Sequence, residues 1–173
     1  MNQVVLRPFT EEEYHTFFRR YEPDPRMDPT PYRYQEEQIS RSYRYQYGGF
    51  QQNYAHYGIF LDQQPVGAFQ LKRIDPEKLK CEFGIILQNE SVRNRGIGTE
   101  AIRLGLLEAE RFGLETVEGD TRSGNLRMQR VFEKLGFTLA ERIQNAYETP
   151  DGNEDRLVYR YSIPQRIPPT VCE

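Results

Sequence analysis

Two glycines one residue apart, Gly96 and Gly98, sit in the run Arg93-Asn94-Arg95-Gly96-Ile97-Gly98-Thr99. Their chemistry is that of an anion site. Glycine removes the side chain that would hold a ligand away from the backbone. The run opens an amphipathic segment, so its amides and the positive end of a helix macrodipole would face a diphosphate. Arg93 and Arg95 add charge beside it. Other chemistries lack their residues. The chain has two histidines, His15 and His56, too few for a His-rich metal centre. No Ser lies in a Gly-x-Ser-x-Gly elbow, and Cys81 and Cys172 form neither a CxxC pair nor a disulfide framework.

The elements that must position these residues are readable from periodicity. Val4–Leu6 reads as a strand closed by Pro8. Thr10 with Glu13 makes a capping box, and Phe9 can staple onto Tyr14. Pro23, Pro25, Pro29 and Pro31 make 22–32 a loop, and Gln35 to about Tyr47 a second helix stopped by Gly48-Gly49. Tyr57–Leu61 and Val66–Arg73 pair across a turn at residues 62–65, and Leu79–Leu87 follows as a strand. There Glu82, Gly84 and Ile86 share one face, and Phe83, Ile85 and Leu87 the other. Thr99–Phe112 is the clearest helix, with Gly113 as its left-handed stop. Glu115–Thr121 is a strand, Asn125–Leu135 a helix capped by Asn125, and Phe137–Ile143 and Arg156–Ile163 the closing strands. The order predicts an α+β fold in one domain over 1–163, with a mixed, mostly antiparallel sheet flanked by helices and 164–173 as a loose tail.

Three phosphate-binding readings compete for the glycine run. A P-loop needs Gly-Lys-Ser/Thr, whereas Gly98 is followed by Thr99-Glu100. The dinucleotide fingerprint matches Gly96-x-Gly98-x-x-Ala101, with Glu118 or Asp120 about twenty residues on. That fold, however, runs its strand directly into the first glycine and needs repeated parallel βαβ units. In the third reading, Arg93-x-x-Gly96-x-Gly98 resembles the Arg/Gln-x-x-Gly-x-Gly/Ala signature of the GCN5-related N-acetyltransferases (GNAT superfamily). Residues 125–137, from Asn125 to the Leu135-Gly136-Phe137 ending, are similar to that superfamily's second motif. Cys81 to Leu87 and Thr99-Glu100-Ala101 look most like the branch that acetylates ribosomal-protein N-termini.

The resemblance implies a single GNAT-like domain with splayed central strands, and acetyl-CoA as co-substrate. The pantetheine maps to the main chain of Ile85, Ile86 and Leu87. The diphosphate maps to amides from Arg93 through Asn94, Arg95, Gly96, Ile97, Gly98 and Thr99, and Asn125 to the pantetheine arm. It implies direct transfer to a primary amine of a small molecule or protein N-terminus, with Ile86 or Leu87 supplying the oxyanion donor. The base is Glu82 first, with Glu118 and Asp120 as alternatives. Many members carry a Tyr seven residues after the asparagine, to protonate the leaving thiolate. Here that position is Phe132, so the acid must come from elsewhere, one of the N-terminal tyrosines being a candidate. Residues 22–58 would then choose the acceptor, with Arg33, Arg41, Arg44 and the tyrosines around them as recognition groups. The alternative function is a non-catalytic module that senses CoA or holds a protein partner.

Composition bounds the rest. In 173 residues, 23 Lys and Arg against 26 Asp and Glu leave a net charge of −3, which does not suit a dedicated nucleic-acid binder. The mean hydropathy is −0.81, and no apolar run approaches the ~20 residues of a bilayer span. With no secretion signal at the start, the expectation is a cytoplasmic monomer or homodimer without nucleic-acid or membrane partners. Nine of the 12 tyrosines precede residue 58.

Overall fold

Thr10 starts the first helix as its neighbours dictate. Its hydroxyl accepts from the Glu13 amide, and the Glu13 carboxylate accepts from the Thr10 amide, closing the capping box of helix α1 (Glu11–Arg19). Phe9 meets Tyr14 edge to face at 5.5 Å. The computed structural model describes residues 3–165. Strand β1 (Val4–Arg7) precedes α1, and α2 (Glu36–Tyr47) follows the proline loop. Then come β2 (Ala55–Leu61), β3 (Gln64–Asp75) and β4 (Lys80–Leu87), and after a 3-10 turn at Glu90–Val92, α3 (Ile97–Arg111). The chain closes with β5 (Thr116–Arg122), α4 (Leu126–Leu135), β6 (Thr138–Thr149) and β7 (Gly152–Ser162).

The strands form one seven-stranded sheet in the order β1-β2-β3-β4-β5-β7-β6, in which β4 with β5 is the parallel pair. All other neighbours run antiparallel. This topology rules out the dinucleotide-binding reading, because the repeated parallel βαβ units are missing. Helices cover both faces. On one, α3 and α4 bury Phe69, Leu71, Phe83, Val117 and Leu157; Gly105 lets α3 approach so closely that a Cβ there would run into the Phe69 ring. On the other, α1 and α2 enclose an aromatic cluster of Phe9, Tyr14, Phe17 and Phe60 with Ile39.

Element boundaries shift where the periodicity ends. The β2–β3 connection is a two-residue turn, Asp62-Gln63, with φ of +48° and +68°, rather than a four-residue one. Those angles match the right-handed twist of the strands, and Pro65 is absorbed at a bulge beside Phe60. The last hairpin is longer than the apolar pattern predicts. β6 is an edge strand, nearly all exposed and interrupted by two register shifts, so main-chain pairing continues through polar residues. Ile163 donates to the Glu115 carbonyl and, of the expected tail, Gln165 donates to the Glu115 carboxylate; 166–173 lie outside the described residues.

Candidate active site

The sheet is closed on one side of β4 and parted on the other. Lys80, Cys81 and Glu82 pair with Thr116, Val117 and Glu118, and the β4–β5 ladder stops there. From Phe83 to Leu87, β4 keeps only its β3 neighbour. The Gln88 amide donates to Val66 of β3. Strand alternation therefore turns the amides of Gly84 and Ile86 toward β3, and those of Phe83, Ile85 and Leu87 toward the parting. Ile86 thus offers its side chain, which is 39% exposed, rather than a free amide.

The glycine run closes the far end of this parting. Asn94 and Gly96 adopt left-handed backbone (φ +59° and +77°), and Gly96 is the N-cap of α3. The amides of Ile97, Gly98 and Thr99 fall in the first helical turn, where no intrahelical carbonyl is available. A Cβ at Gly98 would stand 3.7 Å from Leu87 Cδ1 and 3.9 Å from Ile85 Cδ1, so glycine keeps open the space between α3 and β4. Around it lies a cleft of about 570 Å³ bordered by Ile85, Ile86, Leu87, Gly96, Gly98, Thr99, Asn125 and Tyr21. Free amides, an unfilled glycine position and an open strand edge fit a diphosphate carried on an extended arm.

Other residues of the run have different duties. The Arg93 amide is held by the Glu90 carbonyl. Its guanidinium donates to the carbonyls of Glu22 and Leu87, fastening the proline loop to the end of β4. Ile97 is buried in the core, and Arg95 borders a separate groove beside β1. Asn125 caps α4, its Oδ1 accepting from the Met128 amide at 3.2 Å, while also bordering the cleft. The proline loop contributes Asp24, which pairs with Arg26 (2.8 Å) and with Arg127 of α4 (3.4 Å). Hydrogen bonding from Arg26 holds the Asp24 carboxyl below its usual range.

The three carboxylates come together. Glu82, Glu118 and Asp120 line one groove of about 200 Å³, where β4 and β5 begin to part. Each faces an arginine: Glu82 meets Arg73 at 2.9 Å with Lys72 at 3.9 Å, Glu118 meets Arg160 at 2.8 Å, and Asp120 meets Arg156 at 2.9 Å. Phe132 lies fully buried and stacks on Tyr159 at 4.5 Å, a core side chain remote from proton chemistry.

Beneath α1 and α2 lies a smaller pocket of about 140 Å³, which shares Ile85 and Ile86 with the cleft. Its aromatic wall is Phe9, Tyr14, Phe18 and Tyr47, and its polar groups are Gln46, His56 and Gln70 over Gly84. His56 Nε2 lies 2.8 Å from Gln51 Oε1, and burial lowers the imidazole's pKa. His56, Gln46 and Gln70 were not among the site residues expected from the sequence. The signal available was alternation: His56 pairs with Gln70, and Gln70 with Gly84, on the face that carries Glu82. Arg33, Arg41 and Arg44 are exposed and lie outside the pocket. His15 is structural, bonded to Tyr34 (2.7 Å) and Ser40 (2.9 Å). Cys81 is buried, and burial pushes its thiol pKa up to about 12.

The class of protein to which this parted pair and glycine-capped helix belong follows from comparison with known proteins. Residues 3–138 match the acetyltransferase (GNAT) domain family, and the chain belongs to that family. A mycothiol acetyltransferase of Corynebacterium glutamicum is 33% identical over 79 residues, 46% of this chain and 26% of that protein. The match therefore spans about a quarter of that relative. Among solved structures, a ribosomal L7/L12 alpha-N-protein acetyltransferase in complex with coenzyme A superposes with a TM-score of 0.77 at 19% identity, covering 92% of this chain and 94% of that one. A spermidine N-acetyltransferase chimera from Vibrio cholerae and a human enzyme gives 0.79 at 14% identity, covering 92% and 95%. At these identities the likeness is one of fold. Among the described residues no helix is long and apolar enough to cross a membrane.

Proposed function

We propose that the chain is an N-acetyltransferase that moves an acetyl group from acetyl-CoA to the primary amine of a small molecule or protein N-terminus. The observation that carries this reading is the end of the β4–β5 ladder at Glu82 and Glu118, opposite the unpaired amides at the start of α3. Bound there, acetyl-CoA supplies a thioester whose acyl group a neutral amine can take. The amides of Ile97, Gly98 and Thr99 hold the diphosphate, and the open main chain of Ile85 and Leu87 receives the pantetheine as an added strand would. The Leu87 N–H, aimed into the parting, holds the charge that gathers on the acyl oxygen.

An alkylamine is mostly ammonium at pH 7, so a base must take its proton before attack. Glu82 takes it through water, since this carboxylate stands at the fork of the strands, where its bonds to Arg73 hold it in place. The leaving thiolate needs little help, and Tyr21 can give it a proton. Tyr21 borders the cleft, and burial raises its phenol pKa, so the hydroxyl stays protonated at neutral pH. The strand motif Cys81–Leu87 supports membership of the branch acting on ribosomal-protein N-termini.

Thiol release from acetyl-CoA in the presence of amines tests the reaction. With an accepted amine, Glu82→Gln should lower kcat by ~10²-fold; an unchanged rate would move the base to Glu118 or Asp120. The burial of Phe132, where many relatives hold a Tyr, favours one second reading, a CoA-binding module without turnover. CoA binding with no thiol release across peptides, polyamines and aryl amines would establish it.

A further inference from the structure

The pocket beneath α1 and α2 carries no Asp, Glu, Lys or Arg among its described lining residues. Its polar groups are all uncharged. Gln70 spreads its carboxamide over Gly84, 2.9 Å from where a Cβ would stand, and has no hydrogen-bond partner among the described residues. Gln46 uses only its amide nitrogen, in a long contact of 3.5 Å to Ser42. The Tyr47 hydroxyl accepts from the Phe9 amide, which leaves its own hydrogen to donate. His56, its pKa lowered by burial, stays neutral at pH 7. The nearby carboxylates Glu82, Glu118 and Asp120 line a different groove, each committed to an arginine.

Resting on the acetyltransferase reading, we propose that the acceptor is a monoamine carrying one compact, uncharged ring with a hydrogen-bonding substituent. The ring enters the aromatic pocket, and the amine stays at the Ile85–Ile86 mouth. Size and charge both argue for this. The pocket holds about 140 Å³, close to the ~150 Å³ of an apolar cavity that accepts benzene. A second ammonium would lose its water without gaining a carboxylate. Polyamines are therefore poor occupants. A phenol suits the pocket, since the Gln70 and Gln46 carboxamides and the His56 ring can accept its hydrogen while Phe9, Tyr14 and Tyr47 cover its faces.

The test is calorimetric titration of the full chain with tyramine, phenethylamine and spermidine, with and without saturating CoA, so that binding is read apart from turnover. Tyramine should bind about a hundredfold more tightly than spermidine, and more tightly than phenethylamine. Gln70→Leu keeps the side chain's bulk over Gly84, and should weaken tyramine about tenfold while leaving CoA affinity unchanged. Spermidine binding as tightly as tyramine, no binding by any of the three, or a Gln70→Leu variant with undiminished tyramine affinity would overturn the assignment. CoA affinity from the same titrations separates the two claims: its loss sinks the acetyltransferase reading, whereas CoA binding with a preference for spermidine sinks only the ring pocket.

Discussion

The cleft between α3, α4 and β4 presents main chain where the pocket beneath α1 and α2 presents side chains. In the cleft, the groups facing a ligand are the amides at 97–99 and the open edge of β4, and glycine at 98 serves by having nothing to offer. In the pocket, the contact surface is supplied by Tyr14, Phe18, Gln46, Tyr47, His56 and Gln70, carried on four different elements. A main-chain site tolerates exchange of many side chains but not the arrival of a new one. A side-chain site behaves the other way. That contrast suits a protein with one fixed co-substrate and an acceptor free to vary.

The contrast breaks most sharply at Gly98. Gly98→Val should cost about a hundredfold or more in CoA affinity, because its methyls enter the space a diphosphate arm needs. The fold should survive, since the first added carbon meets Leu87 and Ile85 only at ordinary contact distance. Calorimetry for affinity and circular dichroism for the fold decide it together; retained CoA binding would take this turn out of the site. Next in size is Tyr21→Phe, which removes the proposed proton donor while keeping the ring packed among Phe17, Phe18 and Tyr32. We expect kcat to fall about tenfold with the acetyl-CoA KM unmoved. A fall in affinity instead would mean that Tyr21 only shapes the cleft.

The same contrast explains what could be read in advance. A site made of main chain leaves a local trace, because glycines at 96 and 98 and a cap at 125 are needed at fixed positions along one stretch of chain. The element order was legible for the same local reason, through the capping box at Thr10 and the stops at Gly113 and Gly136. The pocket left no such trace. Tyr14, Tyr47, His56 and Gln70 lie on four different elements and meet only through strand register and the docking of α1 on α2. Tyrosine enrichment marked the region, but not which rings face the cavity and which, like Tyr43, pack within the cluster. Arg93 has a duty that its type did not announce: it borders the cleft, and its bonds to the carbonyls of Glu22 and Leu87 also make it a brace.

Asn125 lies on the border between the two kinds of site, because its side chain caps α4 and also faces the cleft. Asn125→Ala should cost about 1 kcal/mol of stability through the lost cap. Asn125→Asp keeps an oxygen for the Met128 amide and so should keep the stability, but it replaces two N–H donors with an anion. If CoA affinity falls in the Asp variant while the melting temperature holds, Asn125 touches the co-substrate. If affinity also holds, its role ends at the helix cap.

The smallest expected effect lies where α1, the outer wall of the pocket, begins. Arg7 grips Glu13 with two bonds of 2.7 and 2.8 Å, and the Thr10 amide adds a third at 3.0 Å. The Arg7 bonds first, then the Thr10 amide against the cost of burial, hold the Glu13 carboxyl down at about 2, against an ordinary 4.5. A depressed folded-state pKa stabilises the fold above the unfolded value, and this contribution disappears as pH falls from about 4.5 through about 2. Arg7 is 41% exposed, so salt screens the pair and the effect stays modest. In thermal melts across this window, wild type should lose stability more steeply than Glu13→Gln, and the gap should shrink in high salt. Parallel curves would show that the pair contributes nothing at this helix start. The start of α3 has no titrating cap of this kind, because Gly96 brings no side chain. Acid should therefore loosen the wall of the pocket beneath α1 and α2 without touching the hydrogen-bonding capacity of the amides at 97–99.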